Sequence, residues 1–275
     1  MSTTSAATTT AATTEPEVRV TRRRVVSSEW IKLRSLRSTF WAVLAVMVSL
    51  LGMGAFTAIG IVVQHSPPGS EAIAADPTGG ALSGFALAQL AVIALGVLVV
   101  SGEYRTRTIL PSVTAVPARL PLVWAKAAVA GAVTTALSAA TLLATFFVAR
   151  AVVAADGLTI SLTSPGVARA VLGGALALGV TAVLATAFGW LLRSTAGAVS
   201  ALVALLHLVP SIGTLLPETV AAAVLPYLPG NAGNAVLQIT PANGGLGPWT
   251  GLAVYTAWAA LGLGAAALVL IRRDA

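Results

Sequence analysis

Few residues of this chain could do chemistry, and they stand at the margins of long apolar runs. The stretch VVSGEYRTRTILPSV (Val99 to Val113) closes one such run with Glu103, Tyr104, Arg105 and Arg107. Glu103 to Leu110 can form a short helix with its acid in the first turn, where the helix dipole favours it. Pro111, Pro117 and Pro121 then interrupt the chain. A charged strip of that kind, with Thr108 and Ile109 beside it, is a surface that a soluble protein can grip; the plainer alternative is a basic loop that only sets topology. His207, in LLHLVP, is the one titratable side chain deep inside an apolar run. It can sense protons or touch a substrate, or it can bond the backbone carbonyl that Pro210 frees on the same helix. Gln89, in a second run, is a ligand or a hydrogen-bonded link between helices.

Several chemistries lack their residues. Carboxylates inside a membrane usually serve proton or ion coupling, and none occurs within the apolar runs, which argues against a proton-driven carrier. An intramembrane serine protease would need Ser83 as nucleophile and His207 as base, within hydrogen-bond reach and beside an oxyanion hole. Ser83 lies at the outer margin of its run and His207 near mid-depth, and no second motif accompanies them. The only lysines are Lys32 and Lys126, and neither ends a Gly-x-x-x-x-Gly-Lys phosphate loop, so ATP-driven work needs a partner. Cysteine is absent, which removes thiolate chemistry and disulfides, and no spacing suggests a metal site.

The elements that must position these residues are membrane helices. Only 9% of the residues are charged, against about 25% in a soluble domain. Charge-free runs long enough to cross a hydrocarbon core of about 30 Å occupy Phe40 to Val63, Ala81 to Val100, Ala127 to Ala149, Ala170 to Leu192, Ala196 to Leu216 and Trp249 to Ile271. Backbone in lipid must satisfy its hydrogen bonds internally, so the runs are expected to be helices and the fold an all-α integral membrane bundle of six spans. All of the 16 Lys and Arg residues except Arg150 and Arg169 fall before the first span, in alternate loops or after the last span. The positive-inside rule then places both termini in the cytoplasm. The net charge of +7 is thereby topological, and nucleic acid is not expected as a partner.

Residues 1–24 read as a disordered basic cytoplasmic tail, and 25–275 as the membrane domain. In SSEWIKLRSLRSTFW, Ser28 can cap a helix starting at Glu29, with Trp30, Leu33, Leu36 and Phe40 on one face and Lys32, Arg34 and Arg37 off it. That is an interfacial amphipathic helix suited to anionic lipid, or else a simple flank to the first span. Between Pro217 and Pro248, two apolar patches too short to span are broken by Pro226, Pro229 and Gly230. They suit a re-entrant helix pair or a surface loop. Runs such as VLGGALALGV let helix backbones approach closely.

GEYRTRTILPSVTAVPARLPLVWAK resembles the cytoplasmic loop after the second helix of ABC-2 type permeases, with Glu103, Tyr104, Thr108, Ile109, Pro117, Arg119 and Lys126 matching. Arg107 and Pro111 depart from that pattern. SEWIKLRSLRSTFW is similar to the elbow helix of the actinobacterial members, through Glu29, Lys32, Leu33, Arg34 and Arg37, and YLPGNAGNAV to the segment before their last helix. The resemblance implies the membrane subunit of an ATP-binding cassette exporter in the cell membrane. It would pair with a second permease copy or a paralogue, and with a cytoplasmic ATPase that binds the ATP and Mg. This chain would bind no cofactor and be no enzyme itself. Glu103, Tyr104, Arg105, Thr108 and Ile109 would form the coupling helix against the ATPase, with Arg119 securing the loop end. The cargo would be a hydrophobic or amphipathic compound such as a drug, antibiotic or lipid. A non-transporting membrane anchor or assembly subunit is the alternative.

Overall fold

The computed structural model describes residues 22–35, 37–65, 77–105, 120–155, 157–239 and 244–272. Among these there is no strand. The elements are α1 (Arg22–Ser35), α2 (Arg37–His65), α3 (Pro77–Ala81), α4 (Phe85–Arg105), α5 (Leu120–Ala154), α6 (Val167–Leu192), α7 (Thr195–Gly213), α8 (Glu218–Val224), α9 (Pro229–Asn234) and α10 (Pro248–Arg272). Six helices are long and apolar enough to cross a membrane: α2, α4 with the turn before it, α5, α6, α7 and α10. The chain is a multi-pass membrane protein.

Several helices overrun the charge-free runs, at the basic ends and also where α5 continues past Arg150 and α6 starts before Arg169. α4 continues past Val100 to Arg105, and α5 begins at Leu120 rather than Ala127. Glu103 and Tyr104, expected to open a separate helix, form the last turn of α4; the rest of that expected helix, residues 106–110, lies outside the described residues. The reason is that Glu103 and Lys126 are ion-paired, as described below, and a paired charge does not end a helix. At 35 residues α5 is about 52 Å long, so it tilts or projects beyond a core of about 30 Å. α1 likewise starts at Arg22, before the expected Ser28 cap, and takes in residues 22–24 that were assigned to the tail. Thr108, Ile109, Arg119 and residues 1–21 lie outside the described residues.

α6 is the hub. In its apolar window 72% of residues are buried, against 22% in α2 and in α7, so those two helices are the periphery. Small residues bring its neighbours close. A Cβ on Gly96 of α4 would stand 2.6 Å from Ala185 Cβ and 2.8 Å from Ala182 O of α6. Gly179 of α6 meets the Gly131 carbonyl and Thr135 of α5 in the same way. With hydrocarbon on all sides, such close packing is what holds helices together. The turn from α6 to α7 is two residues long: Arg193 caps α6 in the left-handed region at φ 52, and Ser194 accepts a hydrogen bond from the Gly197 N–H at 3.3 Å.

α7 contains a π-helical turn at Ala204–Leu208 just before Pro210. Pro210 has no N–H to offer the Leu206 carbonyl four residues earlier, and the backbone of Gly230 in α9 lies directly over that oxygen, where any Cβ would overlap it. The segment expected as a helix pair is one: α8 and α9 are joined by a 3-10 turn at Leu225–Tyr227. Asn231 Nδ2 donates to Leu225 O at 2.9 Å, and Trp258 Nε1 of α10 to Tyr227 O at 3.0 Å. Arg169 Nη2 donates to Gln238 O at 2.7 Å and Ile239 O at 3.2 Å, fastening the start of α6 to the same segment.

Candidate functional site: an ion-paired junction of α1, α4 and α5

α1 lies in the notch between α4 and α5. Leu33 is 6% exposed and packs with Leu95 and Val99 of α4 and Val129 of α5. Glu29, one turn earlier on the same face, is 4% exposed. On α1, Glu29 and Leu33 are buried and Lys32 is half-buried beside them, whereas Trp30 and Phe40, expected on one face with Leu33, are exposed. The polar residues face protein because their partners are there.

Those partners close a four-residue cluster. Lys126, in the second turn of α5, is 1% exposed, and its ammonium is fully used: it donates to Glu29 Oε2, to Glu103 Oε1 at 2.8 Å and towards Val99 O at 3.4 Å. Lys32 bridges the same acids from the exposed side, 2.8 Å from Glu29 Oε1 and 3.1 Å from Glu103 Oε1. Two carboxylates and two ammonium groups cancel. Burial alone would lower the Lys32 pKa, but the hydrogen bonds and charges of Glu29 and Glu103 carry it above the usual lysine value. Glu103 sits at the C-terminal end of α4, where the helix dipole disfavours an acid, so the two lysines are what make its place tenable. Glu103 Oε2 is buried with no hydrogen-bond partner among the described residues.

Next to the cluster, Tyr104 turns into the bundle. Its ring meets Trp190 of α6 edge-on at 5.9 Å, and the Arg193 guanidinium lies 5.2 Å from its centroid. Ser101 and Thr195 share a hydrogen bond of 2.7 Å between α4 and the start of α7. The end of α4 is therefore tied to α1, α5, α6 and α7 together. Arg105 ends α4; Arg34 and Arg37 are exposed on either side of the joint between α1 and α2.

The other sequence candidates stand apart from this junction. Gln89 is a link: its Nε2 donates to Thr181 Oγ1 at 3.2 Å and reaches Tyr255 OH at 3.5 Å, while Thr181 and Tyr255 bond at 2.7 Å, joining α4, α6 and α10. His207 does not bond the carbonyl freed by Pro210; its Nε2 is buried without a partner, and Gly230 occupies that carbonyl's surroundings. Ser83 bonds Thr57 Oγ1 at 3.2 Å and Met53 O at 3.3 Å, so it is not paired with His207. Among the described residues no group of three His, Asp or Glu could hold a metal ion. No protein-family model and no curated protein matches this chain.

Sequence reasoning placed Glu29, Lys32, Glu103 and Lys126 near the membrane surface but did not join them. The available signal was charge sign: Glu29 and Glu103 are acids beside otherwise basic span ends. Trp190, Arg193, Thr181 and Tyr255 were not singled out, because no local pattern marks a partner on a distant helix. What the junction can do is mechanical: it ties α1 to both ends of the segment connecting α4 and α5.

Proposed function

We propose that this chain is the membrane-spanning subunit of an ABC-2 type exporter, moving a hydrophobic or amphipathic compound at the expense of ATP hydrolysed by a separate cytoplasmic ATPase. The observation that carries this reading is the buried cluster Glu29, Lys32, Glu103 and Lys126. A force applied by a soluble motor to the α4–α5 connection would pass through Glu103 and Lys126 into α1, α4 and α5 at once, and through Tyr104 and Ser101 into α6 and α7. On this reading both termini are cytoplasmic, the ATPase contacts the connection that includes Arg105, Thr108, Ile109 and Arg119, and Glu103 and Tyr104 transmit the movement from within. The α8–α9 pair dips into the outer leaflet, its Gly230 against α7. A second copy packs on α2 and α7, the two least buried spans.

Affinity-tagged chain, gently solubilised from its own cells, should bring down a soluble ATPase with a phosphate-loop motif. Inside-out vesicles holding that pair should take up a hydrophobic dye only with ATP. Glu103→Gln, which keeps shape and removes charge, should lower uptake and stimulated ATPase activity while the chain still inserts. Recovery without any ATPase, even after crosslinking, overturns the reading and leaves a membrane anchor.

A further inference from the structure

We propose that the outward side of the α1–α5 junction binds an anionic phospholipid. α1 carries two stripes. Glu29 and Leu33 are buried against α4 and α5 with Lys32 beside them, and Arg23, Val26, Trp30 and Arg34, spaced by three and four, are all exposed on the adjoining face. Val26 forms one wall of a cavity of about 540 Å³ whose other walls are Leu120, Pro121, Trp124, Ala125 and Ala128 of α5. Trp124 and Ala128 also line a cavity of about 370 Å³ that continues between α5, α6 and α10 past Gly131, Thr135, Val183 and Ala260. The two adjoin at Trp124 and Ala128, which line both, and together they make a groove along α5.

Its dimensions and chemistry name the occupant. From Trp124 to Thr135 the groove follows α5 for about 16 Å, close to one leaflet of a core of about 30 Å. Its lower part is walled almost wholly by Ala, Gly, Val and Leu, and Trp124, 52% exposed at its upper part, suits headgroup depth. Arg23 and Arg34 flank Val26 and Trp30 on the stripe whose Val26 lines the first cavity. A cationic stripe beside an apolar channel one leaflet deep fits a phosphate-bearing anionic headgroup with an acyl chain along α5. A second copy of the chain fits poorly, since it would bring a further arginine stripe beside the first. The topology proposed above puts the groove in the cytoplasmic leaflet, which carries the anionic lipid; the chemistry of the site does not depend on that topology, nor on transport.

The test is fluorescence quenching in vesicles of phosphatidylcholine and phosphatidylglycerol, with one or the other brominated along its acyl chains. The difference between the full-length protein and its Trp124→Phe variant isolates Trp124. Brominated phosphatidylglycerol should quench that component at a lower mole fraction than brominated phosphatidylcholine. Arg23→Ala and Arg34→Ala should each reduce the preference by about fivefold, and Ala128→Leu, which narrows the groove without changing charge, should weaken quenching by both lipids. Equal quenching by the two lipids overturns the proposal in favour of a non-selective lipid-facing surface. No quenching of Trp124 by either lipid overturns it in favour of a face covered by protein. Since neither dye uptake nor an ATPase enters this measurement, its failure is separable from failure of the transport reading.

Discussion

At the scale of single residues, Lys126 has the most to lose. Its ammonium is buried and holds two carboxylates from different helices. Truncating one partner of a buried ionic network strands the charges left behind, at about 3–5 kcal/mol. Lys126→Met keeps the stem and removes the charge, so it should destabilise the solubilised protein by that order, read as a drop in thermal or denaturant midpoint. The double variant Lys126→Met/Glu29→Gln should recover part of the loss, because one stranded carboxylate goes with it. Lys32 behaves differently. Its folded pKa is raised, so its contribution is fully present below the unfolded lysine value of about 10.4 and is lost only as pH rises through the higher folded value. Stability measured between about pH 6 and 9 should carry no step due to Lys32. Gln89 lies between these cases: Thr181 and Tyr255 keep their mutual bond without it, and Gln89→Leu should cost about 0.6 kcal/mol, the average for an interhelical bond in a membrane.

At the scale of elements, glycine contacts decide how far apart the helices stand. The Gly179 contact leaves no room for a side chain, since a Cβ there would overlap Thr135. Gly179→Val should separate α5 from α6 and destabilise by about 1–3 kcal/mol, as overpacking does; an unfolding midpoint like that of the parent would mean that the pair can part freely. The positions of the six spans were legible because long charge-free runs have few alternatives in lipid. The ends where α4 and α5 meet their connection were not, because Glu103 and Lys126 look like stop signals until each is seen to neutralise the other. The burial of Glu29 on α1 was hidden for the same reason, since its partner Lys126 lies far along the chain. The π-helical turn in α7 had a local cause in Pro210, yet the group that covers the Leu206 carbonyl, Gly230, belongs to another element. Of the charged strip, Glu103 and Tyr104 belong to the last turn of α4 rather than to a helix of their own, and Thr108, Ile109 and Arg119 lie outside the described residues; the link of Gln89 to Thr181 and Tyr255 could be named in kind, though not in partners.

At the scale of the whole molecule, the charge asymmetry makes the orientation testable. The chain has no cysteine, so each introduced thiol is unique. Ser35 at the end of α1, Thr163 between α5 and α6, and Glu218 at the start of α8 are all exposed, and the spans between them place Ser35 opposite the other two. With basic residues retained in the cytoplasm, Thr163→Cys and Glu218→Cys should react with a membrane-impermeant maleimide in intact cells, and Ser35→Cys only after permeabilisation. The inverse pattern would put the Glu29, Lys32, Glu103 and Lys126 junction on the outer surface, beyond the reach of any ATP-hydrolysing partner. Labelling at Thr163 but not at Glu218 would mean that α7 does not cross, which its broken helix and low burial make the most exposed point of the six-span architecture.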